Sequence, residues 1–111
     1  GSGIGRATAI LASKKGANVV ILGRTEQSLK ETESLCNGKC KYYICDITTN
    51  DYSQLFSKFE NILGAPINVL VNNAGIYVNK DILSYTKEDF EKIFSLNTGS
   101  VLCKRACSIR Y

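Results

Sequence analysis

The stretch GSGIGRATAILASKKGANVVILG, residues 1–23, sets a glycine-rich turn, a helix and a strand in direct succession. Three glycines in five residues precede a helix-prone segment in which Ala7, Ile10, Leu11 and Lys14 fall at helical spacing. Gly16 ends that helix, as a residue tolerant of positive φ does. Residues 17–23 then form a near-continuous aliphatic run of strand length. Without polar alternation, such a run predicts a strand covered on both faces, as in a parallel sheet.

The rest of the chain repeats this alternation. Thr25 is placed to cap a second helix carrying Leu29, Thr32 and Leu35–Cys36, closed by Asn37–Gly38. Residues 41–45 read as a second strand, with Asp46 and Ile47 in the turn leaving it. Residues 51–63 carry Tyr52, Leu55, Phe56, Phe59 and Ile62–Leu63 on one amphipathic stripe. After the breaker at 64–66, residues 67–71 read as a third strand ending at Asn72-Asn73-Ala74-Gly75. Thr86 and Asp89 form a capping-box-like start to a last helix, whose inner face is traced by Phe90, Ile93, Phe94, Asn97, Val101 and Leu102. This alternation predicts an α/β three-layer αβα sandwich, a doubly wound parallel sheet, in one domain over 1–111.

Composition narrows the function classes. The 111 residues carry 14 Lys+Arg and 10 Asp+Glu, a net charge of +4. That charge is spread along the chain without a basic block, which gives no case for nucleic acid. The longest pure aliphatic run, Val19 to Leu22, is far short of the ~20 apolar residues of a membrane span. Five cysteines, an odd number, read as reduced thiols in a cytoplasmic-type compartment. Cys36, Cys40, Cys45, Cys103 and Cys107 match no C-x-x-C metal knuckle, and the chain has no histidine. Tyr42-Tyr43 reads as strand surface plus core.

Two features carry chemistry. Glycines ahead of a helix let the backbone approach a pyrophosphate, and the helix N-terminus offers free N–H groups and a positive dipole end. A tight connection would use the same residues, but the aliphatic strand at βαβ spacing favours the phosphate reading. About 20 residues on, where an acid selects NAD through the ribose 2′-hydroxyl, stands Arg24. A guanidinium there suits a 2′-phosphate and therefore NADP, although a solvated arginine is the plainer alternative. Arg6, just inside the first helix, is placed on its outer surface.

Residues 1–7 (GSGIGRA), 45–48 (CDIT), 71–76 (VNNAGI) and Asn97 occur in an order and spacing that resembles the N-terminal half of the short-chain dehydrogenase/reductase family, over essentially the whole chain. The resemblance implies a Rossmann-type fold. In it, Gly3 and Gly5 match the last two glycines of the family's Thr-Gly-x-x-x-Gly-x-Gly motif. The backbone at Ser2, Gly3 and Ile4 would contact the cofactor phosphates. It further implies Asp46 and Ile47 at the adenine ring and Asn73, Ala74 and Gly75 at the nicotinamide-side ribose, with Asn72 bracing the strand end. Asn97 resembles the family's catalytic asparagine, which helps hold a water in the proton relay. By position alone it could equally be a satisfied core asparagine.

The same resemblance implies a carbonyl or alcohol substrate, a homo-oligomeric intact protein, and a catalytic serine and Tyr-x-x-x-Lys pair downstream of the last helix. Ser108 and Tyr111 stand too close to Asn97 to be those residues, so the chain reads as a fragment. It also begins after the position of the first strand, which is central in a doubly wound sheet. The predicted strands should therefore be gapped or re-paired. Beside the oxidoreductase reading stand a non-catalytic nucleotide-sensing protein, an NAD-selective member with Arg24 incidental, and an inactive truncated product.

Overall fold

The computed structural model describes residues 3–48, 52–76 and 78–97. Ser2, Val101, Leu102, Cys103, Cys107, Ser108 and Tyr111, all given roles above, lie outside the described residues. The element order is α1 (Gly3–Lys14), β1 (Val19–Gly23), α2 (Glu26–Ser34), β2 (Cys40–Ile44), α3 (Tyr52–Leu63), a 3₁₀ turn (Ile82–Ser84) and α4 (Lys87–Asn97).

Strands β1 and β2 pair in parallel, with Val19 opposite Cys40 and Gly23 opposite Ile44. Side chains alternate between faces along a strand, so this register decides which helix each residue meets. On one face, Val19, Ile21 and Cys40 join Ala9 and Ile10 of α1 and Cys36 beyond α2 in one cluster. On the other, Tyr43 meets Phe59 of α3 edge-to-face with centroids 5.6 Å apart, and Phe56 packs on Phe59. Helices thus cover both faces, as the continuous aliphatic run predicts. Leu29 and Leu55 are fully buried, worth about 1.5–3 kcal/mol each.

The turns follow the sequence. Gly16 has φ +97°, and Asn37 and Gly38 both take left-handed conformations between α2 and β2. The Thr86–Asp89 box forms in both directions: the Thr86 N–H donates to Asp89 Oδ2 and the Asp89 N–H to Thr86 Oγ1, each at 3.1 Å. Lys80 Nζ reaches the same carboxylate at 2.6 Å. That ammonium first, and then the Thr86 backbone N–H, hold the Asp89 carboxyl down at about 2.

The helix expected from Ala7, Ile10, Leu11 and Lys14 forms as α1, with Ala9 and Ser13 buried, Ile10 packed on the core and Ala7 and Leu11 exposed. Three expectations are corrected. Residues 67–71 join no ladder, and Val69 and Val71 are exposed. A parallel strand needs a neighbouring strand to bond to, and among the described residues this segment finds none. Thr25 occupies the N-cap position of α2 without a side-chain cap bond. The apolar face of α4 buries nothing fully among the described elements: Phe90 and Phe94 stack on each other at 5.5 Å and stay exposed.

Two predictions follow from this packing. The isolated 111-residue chain should self-associate through Val69, Val71, Phe90 and Phe94, giving species larger than monomer in sedimentation velocity; a monomer with a sharp cooperative melt would contradict it. Cys36, Cys40 and Cys45 are buried. Burial, then the neighbouring Cys36 thiol, pushes the Cys40 thiol up to about 12. At pH 8, iodoacetamide should leave all three unmodified in the folded protein and alkylate them in denaturant, as read by peptide mass.

Candidate cofactor site

Helix α1 returns through a short turn into β1, so its N-terminus lies beside the carboxyl end of that strand. In open α/β sheets that end is where ligands bind. The first turn of α1 contains no acidic residue to oppose an anion. Gly3 adopts φ +57°, and the space where its side chain would stand is open. The unpaired N–H groups of a helix start and this open, left-handed glycine fit a phosphate-bearing dinucleotide.

Gly5 has a different task. A Cβ built on it would stand 2.6 Å from Asn73 Nδ2, so any side chain here would displace that amide. A Cβ on Gly75 would likewise stand 3.2 Å from Asn97 Oδ1. Asn97 holds both backbone groups of Ile76: the Ile76 N–H donates to Oδ1 at 2.7 Å, and Nδ2 donates to the Ile76 carbonyl at 2.9 Å. Gly5, Asn73, Gly75 and Asn97 therefore form one line of contacts joining the α1 start, the 72–76 segment and the α4 end. Ala74 is exposed within that segment, and Ile4 is exposed on α1. Asn72 flanks a segment that forms no ladder, so it braces no strand end.

The second group lies at the ends of the two strands. The Cys45 N–H donates to the Gly23 carbonyl at 2.9 Å, which sets Arg24 and Asp46 side by side. Asp46 Oδ1 accepts from the Thr48 hydroxyl at 2.7 Å and the Thr48 N–H at 2.9 Å. The hydroxyl, then the N–H, and lastly the Arg24 guanidinium hold the Asp46 carboxyl below the usual carboxylate range. Arg24 is exposed, while Asp46 and Ile47 are half-buried. The Asp-x-Thr spacing behind this turn is legible in the sequence.

Arg6 departs from expectation. It does not sit on the outer surface of α1 but lies between α1 and α2, bonded to Ser28, Glu31 and Thr32. Those partners are 22 to 26 residues away, and no local pattern announces them. Among the described residues no group of metal-ligating side chains gathers, and no helix is long and apolar enough to cross a membrane.

Comparison with known proteins places this geometry. The chain is 35% identical over 104 residues to a 3beta-hydroxysteroid dehydrogenase of Mediterraneibacter gnavus, covering 89% of this chain and 37% of that protein. It is 38% identical over 109 residues to the 3-oxoacyl-[acyl-carrier-protein] reductase of Mus musculus, covering 94% of this chain and 45% of that protein. The crystal structure of a short chain dehydrogenase from Mycobacterium smegmatis superposes with a TM-score of 0.85 at 31% identity, over all of this chain and 48% of that one. The chain thus spans less than half the length of these curated relatives. Residues 1–109 match the short chain dehydrogenase family, and the chain belongs to that family.

Proposed function

We propose that this chain is the cofactor-binding half of an NADP-preferring oxidoreductase that interconverts a carbonyl and a secondary alcohol. The observation that carries the reading is the line from Gly5 through Asn73 and Gly75 to Asn97, at the carboxyl ends of the strands. The relatives named above, a hydroxysteroid dehydrogenase and an oxoacyl reductase, support the carbonyl–alcohol class. A bound nicotinamide dinucleotide supplies the hydride chemistry of such a reaction.

The chain's own residues have these parts in the reading. The α1 start at Ser2, Gly3, Ile4 and Gly5 binds the pyrophosphate through backbone N–H groups. Arg24 pairs with the 2′-phosphate, and its exposed guanidinium beside Asp46 is consistent with a surface-facing phosphate. Asp46 and Ile47 bound the adenine; Asn73, Ala74 and Gly75 line the ribose nearer the nicotinamide. The Asn97 side chain clamps Ile76, keeping the ribose-side segment in place and holding the end of α4 where the relay water is needed. The serine and the Tyr-x-x-x-Lys pair that complete the proton transfer lie beyond these 111 residues, in a homo-oligomeric, cytoplasmic protein.

In the full-length protein, Arg24→Ala should weaken NADP binding about tenfold or more, the scale of a charge-assisted pair, and leave NAD within about twofold. Titration calorimetry reads both constants, and equal losses would remove the phosphate claim. Gly5→Ala should instead weaken both cofactors, because the added methyl displaces the Asn73 amide. Asn97→Leu removes both bonds to Ile76 and should lower kcat, with a stability cost of about 1 kcal/mol by thermal denaturation. Unchanged turnover in that variant would return Asn97 to a packing role.

A further inference from the structure

We propose that Arg6 is a positioning residue that sets the distance between the two phosphate-binding ends of the site, and so the preference for NADP over NAD; the inference rests on the reading of Arg24 given above.

The argument begins with α2. Nine residues make a marginal helix alone, and its N-cap Thr25 supplies no side-chain bond. The Arg6 guanidinium ties it to α1. Arg6 Nε donates to Thr32 Oγ1 at 2.9 Å, and Nη2 donates to the Ser28 carbonyl at 3.3 Å and to Glu31 Oε2 at 3.1 Å. Ser28, Glu31 and Thr32 are three and four residues apart, so they present one face of α2 to the fork. The acceptors are themselves held. Thr32 Oγ1 donates to the Ser28 carbonyl at 2.9 Å, and Gln27 Nε2 donates to Glu31 Oε1 at 3.3 Å. Thr32 is fully buried and the Arg6 side chain is 28% exposed, so solvent competes little for the Arg6–Thr32 bond, while the bond to Glu31 lies at the surface. The Glu31 carboxyl is held below its ordinary range, by Arg6 before Gln27.

Placement then gives the clamp its consequence. Arg6 directly follows Gly5, at the turn read as the pyrophosphate site. Arg24 stands two residues ahead of α2, at the turn read as the 2′-phosphate site. One guanidinium therefore links the two turns through the body of α2. A ligand bonded at both turns needs the spacing between them, whereas a ligand with no phosphate at Arg24 loses no such bond when α2 shifts. NADP is the first kind and NAD the second. A lysine could keep the charge but could not fork to three acceptors.

The test uses the full-length protein, with dissociation constants for NADP and NAD measured by titration calorimetry in Arg6→Leu, Arg6→Lys, Glu31→Gln, Arg24→Ala and Arg6→Leu/Arg24→Ala. Arg6→Leu should weaken NADP about tenfold, the loss of one charge-assisted contact, and NAD less than about twofold. Arg6→Lys should fall between wild type and Arg6→Leu. The double variant should bind NADP no more weakly than Arg24→Ala, because both changes remove the same contact. Glu31→Gln changes an exposed carboxylate and should lower the NADP:NAD ratio in the same direction, so a folding failure of Arg6→Leu leaves the inference falsifiable. Equal losses for both cofactors in Arg6→Leu, an unchanged ratio in Glu31→Gln, or additive losses in the double variant would overturn it, with Arg24→Ala still selective. An unchanged ratio in Arg24→Ala would overturn the phosphate reading and this inference together.

Discussion

Parallel pairing of β1 with β2 is the constraint on which the rest depends. Parallel strands cannot be joined by a hairpin, so the chain between them must cross over, and α2 is that crossover. The register that places Val19 opposite Cys40 and Gly23 opposite Ile44 also sends alternate side chains to opposite faces. One face then accepts α1 and α2 over Ala9, Cys36 and Cys40, and the other accepts α3 through Tyr43 and Phe59. The same register brings the ends of both strands together, and with them Arg24, Asp46 and the start of α1. Fold and site are thus consequences of one ladder.

The glycines show how backbone shape becomes chemistry. Gly3 is needed for its left-handed φ at an open helix start, whereas Gly5 and Gly75 let the backbone lie close against asparagine side chains, Gly5 more tightly than Gly75. Asn73 and Asn97 are then more than polar decoration on a loop. Each fills the notch of a glycine from a distant segment, and Asn97 satisfies both backbone groups of Ile76 in a stretch that has no ladder to satisfy them. A segment without strand partners is held in place by side-chain amides.

Polar clamps also replace the devices that sequence rules anticipate. At α4 the anticipated box forms, with Lys80 added to Asp89. At α2 the anticipated threonine cap is missing, and an arginine from the neighbouring helix does the anchoring. The exposed stripes on α1 and α4, Leu11 on one and Phe90 with Phe94 on the other, are apolar faces with no full cover among the described elements.

The sequence by itself determined the α/β alternation, the positions of the turns, the parallel character of the aliphatic strand and the candidate residues of the site. These rest on local rules of periodicity, glycine conformation and side-chain chemistry within a few residues, which a single chain displays openly. Tertiary structure decided which stripe of α1 is buried, where the Arg6 fork closes and whether residues 67–71 can act as a strand. It also decided how Gly5, Asn73, Gly75 and Asn97 come into contact. Each of those depends on a partner tens of residues away: the sheet residues that one face of a helix covers, three acceptors on another helix, or a neighbouring strand whose backbone must be there to pair. Local patterns mark where a segment turns or coils, but only packing chooses the groups that meet.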